Sequence, residues 1–288
     1  MSKKTLACLY GKAFCCVIAT LAASQSAFAQ DETGRPTPGG IGLPAMATPA
    51  GHETQAFYND VLLPIITIIP IFVLGLLFYV MWRFNEKSNP VASKYSHNHK
   101  LEVIWTIIPC LILIGMAFPS MHLLTTQVVV PEPSVTIKVT GNQWYWKYEY
   151  PKEQGGGFAF EQRMKPDSDL QPGELRMLAV DNEAVVPVGE VVKVQITSSD
   201  VIHAFGVPSF AVRMDAIPGR LNETWFKIEK EGVYYGECYF ICGKDHAYMP
   251  IAIRAVSRPE YEKWLAEAKE KFASGEGAGP TARVAANQ

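Results

Sequence analysis

A two-helix transmembrane hairpin followed by an all-β sandwich and a closing C-terminal helix is the fold class the sequence predicts. Three observations carry it. Residues 61–82 hold no charged side chain and residues 103–124 only His122, so both runs can cross a hydrocarbon core of about 30 Å. From Pro131 the composition changes to short β-rich runs broken by turn residues. Ser257-Arg258-Pro259-Glu260 then has the pattern of a capping box, with Tyr261, Trp264, Leu265 and Ala268 recurring on one helical face behind it. The composition agrees: with 48% hydrophobic and 19% charged residues, the chain is neither disordered nor a plain soluble domain, which carries about 25% charge. Basic and acidic residues nearly balance, 26 against 28, and no long basic run exists, so nucleic acid is not an expected partner.

The elements follow in chain order. Lys3, Lys4 and Lys12 precede the apolar run Ala13 to Ala23, and Ala27-Phe28-Ala29 offers small residues for cleavage, so residues 1–29 read as a secretory signal peptide. A membrane anchor is the alternative, but the run is too short and ends in Ser24, Gln25 and Ser26. Cleavage removes Cys8, Cys15 and Cys16 and leaves Cys110, Cys238 and Cys242, which is no disulfide framework. Residues 30–60 form an extracytoplasmic segment with Asp31, Glu32, Glu53 and Asp60 against Arg35. The loop 83–102 between the spans at 61–82 and 103–124 carries Arg83, Lys87, Lys94 and Lys100 against Glu86 and Glu102. Positive charge marks the cytoplasmic side, so both ends of the hairpin lie outside. Pro64, Pro70, Pro109 and Pro119 are tolerable in membrane helices, and Cys110 reads as a small buried apolar residue.

Residues 131–257 form the β-domain. Its expected strands are 134–140, 143–150, 158–164, 175–180, 190–197, 223–229 and 250–256, separated by turn signals such as Gly155-Gly156-Gly157, Gln171-Pro172-Gly173 and Pro218-Gly219. The aromatic run Trp144, Tyr145, Trp146, Tyr148, Tyr150 reads as a strand packing on both faces. A helix over 258–272 closes the domain, and the Gly/Ala-rich tail 273–288 is expected to be mobile.

The chemistry concentrates between Gly236 and Pro250, where Cys238, Cys242, His246 and Met249 fall within twelve residues. Cys242, His246 and Met249 have the spacing of the ligand loop in blue-copper sandwiches, where one thiolate, two imidazoles and a weak thioether hold copper. The second imidazole is His203, alone in the apolar stretch Val201-Ile202-His203-Ala204-Phe205. By itself His203 is more simply a core histidine; beside the downstream cluster it reads as a ligand. Cys238 adds a second thiolate, so two metals could be bridged. Zinc usually takes four Cys/His ligands without methionine, so Met249 favours copper. A Cys238–Cys242 disulfide is the structural alternative, and it would leave His246 and Met249 unexplained.

Taken together, the sequence resembles subunit II of cytochrome c oxidase, of the bacterial aa3 type. The likeness rests on the hairpin, Leu101-Glu102-Val103-Ile104-Trp105-Thr106, Gly141-Asn142-Gln143-Trp144-Tyr145-Trp146, Asp200-Val201-Ile202-His203, Asp215-Ala216-Ile217-Pro218-Gly219-Arg220 and the ligand loop. It implies a cupredoxin-like Greek-key sandwich carrying binuclear copper A, with His203, Cys238, the Phe240 backbone carbonyl, Cys242, His246 and Met249 as ligands. It further implies Trp144 as the residue through which electrons enter and Glu149, Asp181 and Asp200 as a docking face for cytochrome c. Glu102 corresponds to the entrance of a proton path. The implied partners are the catalytic haem-copper subunit I, which holds the haems and reduces O2, and subunit III, in the bacterial inner membrane with the copper domain in the periplasm. One departure stands out. Where the family usually has a glutamate binding an interface Mg²⁺, this chain has Phe240, so that magnesium is not carried over. A quinol-oxidase relative would lack the copper ligands, which are all present here. Nitrous oxide reductase uses the same type of centre without this hairpin, and copper-delivery proteins need neither Met249 nor Trp144.

Overall fold

A computed structural model describes residues 34–273 apart from Pro38 and Ala92. The expected signal peptide at 1–29 and the tail beyond Ala273 lie outside the described residues. Helix α1 runs Pro49–Arg83, 35 residues, with a wider π-turn at Phe57–Leu62. It starts well before residue 61 because Thr48 caps it, its Oγ1 accepting the Gly51 N–H at 2.9 Å, and Pro49 suits the first turn. Hydropathy marks only the part that crosses lipid. At about 1.5 Å per residue α1 is roughly 52 Å long, so its polar outer turns stand above a core of about 30 Å.

Helix α2, His99–Val128, likewise exceeds the predicted span at both ends. Asn98 caps it, accepting the N–H groups of Lys100 and Leu101. The spans expose their apolar side chains on nearly every face, and the two helices meet near their outer ends, where Gln127 Nε2 donates to Thr54 Oγ1 at 3.2 Å. Cys110 therefore faces outward and not into a core as expected, because none of the described residues covers the middle of α2.

The β-domain has ten strands: β1 Val135–Asn142, β2 Tyr145–Tyr150, β3 Phe158–Gln162, β4 Ala184–Pro187, β5 Val191–Ser198, β6 His203–Val207, β7 Val212–Ala216, β8 Asn222–Lys227, β9 Gly232–Cys238 and β10 Ile251–Val256. They form two five-stranded sheets, ordered β3-β2-β1-β5-β8 and β4-β10-β9-β6-β7. The first is mostly antiparallel, with β1 parallel to β5; in the second, β4 runs parallel to β10. Alternation in β1, β2 and β5 turns Ile137, Val139, Trp146, Tyr148, Val194 and Ile196 into the core. The aromatic run thus packs on one face only. Outward-facing Tyr145 is covered instead by the Arg163 guanidinium, 3.8 Å above its ring.

The run 175–180 is not a strand. The N–H groups of Leu178 and Ala179 turn back on the Leu175 carbonyl, Met177 has φ of +69°, and only Val180 bridges a neighbour, Met164. The buried side chains Leu178, Ala179 and Val180 account for its apolar composition. Strands β4, β6, β7 and β9 were not among the expected runs, although β6 falls partly in the apolar stretch 201–205. Helix α3, Arg258–Ala273, starts at the predicted capping box, with Ser257 Oγ donating to Glu260 Oε2 at 2.8 Å. It buries Tyr261 and Ala268 and sets Trp264 edge-on to Tyr150, with centroids 5.2 Å apart.

The sandwich is seated on the outer ends of the helices. Ala47 donates to the Ser209 carbonyl and accepts from Glu229 N–H, Thr48 Oγ1 donates to the Phe210 carbonyl, and Trp225 Nε1 donates to the Thr126 carbonyl at 3.2 Å. His52 Nε2 meets Glu229 Oε2 at 2.9 Å.

Candidate metal centre

The donors come from three parts of the sandwich edge. His203 opens β6 and is fully buried, and Cys238 closes β9, whose last residues pair with β6 so that Phe205 faces Cys238. The loop from Tyr239 to Pro250 carries the remaining donors, with His246 in a short turn, His246–Tyr248. Close backbone approach makes this corner possible. A Cβ at Gly236 would lie 2.1 Å from the Gly206 carbonyl, and one at Gly206 would lie 2.2 Å from the Tyr239 ring.

The donor atoms form one continuous cluster. Cys238 Sγ lies 3.8 Å from His203 Nδ1 and 3.3 Å from the Phe240 carbonyl; Cys242 Sγ lies 3.5 Å from His246 Nδ1 and 3.5 Å from Met249 Sδ. The ligand atoms of His203, Cys238 and Cys242 all fall within 4.8 Å of one another. Both thiols are free and buried. Met249 is 1% exposed, so its thioether sits in the interior beside the thiols.

The surroundings orient these donors. Asp200 Oδ1 accepts from His203 Nε2 at 2.9 Å, which leaves Nδ1 facing Cys238. Burial would raise the Asp200 pKa, but the bonds from His203 and from the Gln143 and Val201 N–H groups outweigh it and lower it. Burial likewise opposes charge on His203, yet Cys238 and Asp200 hold its pKa above the usual imidazole value. Cys238 has its pKa lowered: burial opposes ionisation, and the His203 hydrogen bond overcomes it. Burial, followed by the neighbouring Cys238 charge, pushes the Cys242 thiol up to about 12. Charge on Cys238 disfavours charge on Cys242, and a bound cation would relieve that repulsion.

The motif Gly141–Trp146 holds the loop from the opposite sheet. Trp146 Nε1 donates to the Met249 carbonyl at 3.2 Å, and its ring meets the His203 ring edge-on at 5.9 Å. Trp144 is half-buried, with Nε1 donating to the Cys242 carbonyl at 3.3 Å and Lys244 Nζ 4.9 Å over its ring. Sequence reasoning singled out this run without seeing that Gly141, Gln143 and Trp146 support the donors. The signal was their clustering in one motif.

The other predicted residues lie apart from the cluster. Glu149, on the outer face of β2, pairs with Lys138 at 3.4 Å and Lys147 at 3.6 Å. Asp181 turns its Oδ1 to the N–H groups of Arg163 and Asn182, and partial burial raises its pKa. Glu102 sits in the first turn of α2, 3.2 Å from His99 Nδ1.

Comparison with known proteins agrees with this arrangement. The chain matches the family described as cytochrome C oxidase subunit II, periplasmic domain, over residues 135–256, and that described as its transmembrane domain over residues 36–123. It is 44% identical over 252 residues to a probable cytochrome c oxidase subunit 2 of Rickettsia bellii, covering 88% of this chain and 91% of that one. It is 42% identical over 270 residues to cytochrome c oxidase subunit 2 of Cereibacter sphaeroides, covering 87% and 89%. Among solved structures it is similar, at 56% identity, to the periplasmic domain of subunit II of cytochrome oxidase from Bradyrhizobium japonicum. That match covers 50% of this chain and 99% of the other, with a TM-score of 0.47.

Proposed function

The chain belongs to the cytochrome c oxidase subunit II family, and on that premise we propose that it accepts electrons from a cytochrome c at a binuclear copper A centre. It would pass them to a haem of the catalytic subunit, where O2 is reduced. The observation that carries this reading is the convergence of two thiols, two imidazole Nδ1 atoms, one thioether and one carbonyl at a buried corner. This soft donor set suits copper, and a structural zinc site would close with four N/S donors and leave the thioether idle. His203, Cys238, the Phe240 carbonyl, Cys242, His246 and Met249 would hold the metal. When bound, copper held by this donor set would supply one-electron exchange with little movement of atoms.

The rest of the work belongs to the chain itself. Asp200 fixes the His203 ring, Trp146 holds the Met249 main chain, and burial keeps water from the sulfur atoms. Trp144 is the proposed point where electrons enter, since its indole reaches from the surface to the main chain of Cys242. Glu149, Asp181 and Asp200 are the proposed docking carboxylates, with Asp200 already committed to His203. Glu102 is proposed at a proton-path entrance. The hairpin would cross the bacterial inner membrane with the 83–102 loop in the cytoplasm and the sandwich in the periplasm, against subunits I and III. Phe240 does not fit an interface Mg²⁺: a hard cation needs oxygen ligands, and the only oxygen of this residue lies beside Cys238 Sγ at 3.3 Å.

The test is a copper count with visible and EPR spectra of the purified oxidase. Two coppers in this subunit with a mixed-valence signal are expected. A single copper, or zinc, would overturn the reading.

A further inference from the structure

Gln143 stands where the two halves of the centre meet. Its backbone N–H donates to Asp200 Oδ2 at 2.7 Å, and the other oxygen of that carboxylate holds His203 Nε2. Its side-chain Nε2 donates to the Cys242 carbonyl at 2.7 Å. One residue therefore bonds both the support of an imidazole on β6 and the main chain of a thiol on the loop. The Trp144 indole shares that carbonyl at 3.3 Å, the longer of the two bonds, and a carbonyl has lone pairs for both. Gly243 makes room for them. Its φ is +128°, and a Cβ there would lie 2.9 Å from the Trp144 ring and 3.1 Å from Gln143 Nε2.

Cys242 lies between β9 and β10, on a segment that pairs with no strand. Its position relative to His203 must be set by cross-connections. Two of these reach the Cys242 carbonyl, and Gln143 supplies the shorter. We infer that Gln143 is a positioning residue of the centre: its amide fixes the Cys242 main chain, and hence Sγ, against the Asp200–His203 pair, and keeps the Trp144 indole on that same carbonyl. This inference rests on the copper reading above. Losing the amide frees the loop on one side. Copper retention and the rate of electron acceptance should both suffer, while the carboxylates proposed to meet the donor stay in place.

The test uses the purified oxidase with Gln143→Met, which keeps the length of the side chain and removes the donor. As isolated it should hold two coppers in this subunit and bind them about 10–100-fold more weakly than wild type in competition with a chelator, the range found for partners that orient metal ligands. Its thiolate-to-copper absorption should shift. The saturating rate of reduction by cytochrome c should fall with the half-saturating concentration unchanged. A merely structural role predicts lower thermal stability, with the absorption bands and saturating rate of copper-loaded molecules at wild-type values, and that result overturns the inference. Should Gln143→Met fail to assemble, Gln143→Asn carries the same expectations and the same refutation, because its amide is one methylene short of the carbonyl. Wild-type oxidase without a two-copper signal overturns the copper reading and the positioning role with it. A wild-type signal with unaltered variants overturns the positioning role alone.

Discussion

Replacing Gly141 by alanine probes a close contact on the His203 ring. Gly141 lies in β1 and its backbone is open to any residue, but a Cβ there would sit 2.9 Å from His203 Cδ2, 3.0 Å from Cγ and 3.1 Å from Cβ. The ring has little freedom to retreat. Asp200 holds one edge at 2.9 Å, Cys238 faces the other at 3.8 Å, and the Trp146 ring stands edge-on with its centroid 5.9 Å away. Overpacking of this kind costs about 1–3 kcal/mol. Loss of glycine freedom in the unfolded chain returns roughly 0.4–1 kcal/mol. The net destabilisation is therefore modest, about 0–2.5 kcal/mol, and the domain should still fold. The donor fares worse, because a displaced imidazole typically lowers metal affinity about 10–100-fold, or roughly 1.4–2.8 kcal/mol. Competition against a chelator of known copper affinity, run beside thermal unfolding, reads both quantities. Copper affinity within about twofold of wild type would show that the ring is not confined as described.

Four further outcomes are expected. Cys238→Ser should abolish the mixed-valence spectrum and leave one copper or none; a wild-type count and spectrum would refute the bridging assignment. Trp144→Gln should lower the saturating rate of reduction by cytochrome c. Glu149→Gln with Asp181→Asn should instead raise KM and flatten its salt dependence, and equal effects on KM alone would erase the distinction. Loading copper into the metal-free protein should release protons near neutral pH, since Cys242 is a thiol with its pKa pushed up to about 12 and His203 is held toward its protonated form. Binding needs the thiolate and the neutral ring, so apparent affinity should rise with pH, about tenfold per unit for each proton released; a pH-stat recording no release would contradict this. Finally, oxidase from cells grown with Mn²⁺ in place of Mg²⁺ should carry little Mn²⁺ beside this subunit, and Phe240→Glu should restore it. Stoichiometric Mn²⁺ in the unmodified enzyme would mean that other oxygen atoms serve.

Residue-level reading went furthest where physics acts locally. A run without charge must find lipid, and a capping box acts within one turn, so both helix spans and the start of α3 were legible before any coordinates. It went astray where local composition is ambiguous. Residues 175–180 look like a strand because their side chains are buried, yet their N–H groups close turns. Strand β4 is four residues buried on both faces, too short to show any period. The outer turns of α1 are polar, and a search for apolar runs passes over them although Thr48 caps them.

The donor types and their spacing were fixed by the sequence itself, since two cysteines, one histidine and one methionine within twelve residues already select a soft metal. Which donors meet was a different matter. His203 lies 35 residues before Cys238, and only the pairing of β6 with β9 brings its Nδ1 to 3.8 Å from the sulfur. The tertiary structure alone also revealed that Asp200 orients His203 and that Gln143 ties it to the Cys242 main chain. Hydrogen bonds between residues 57 and 99 positions apart depend on how two sheets stack, and no local pattern encodes that.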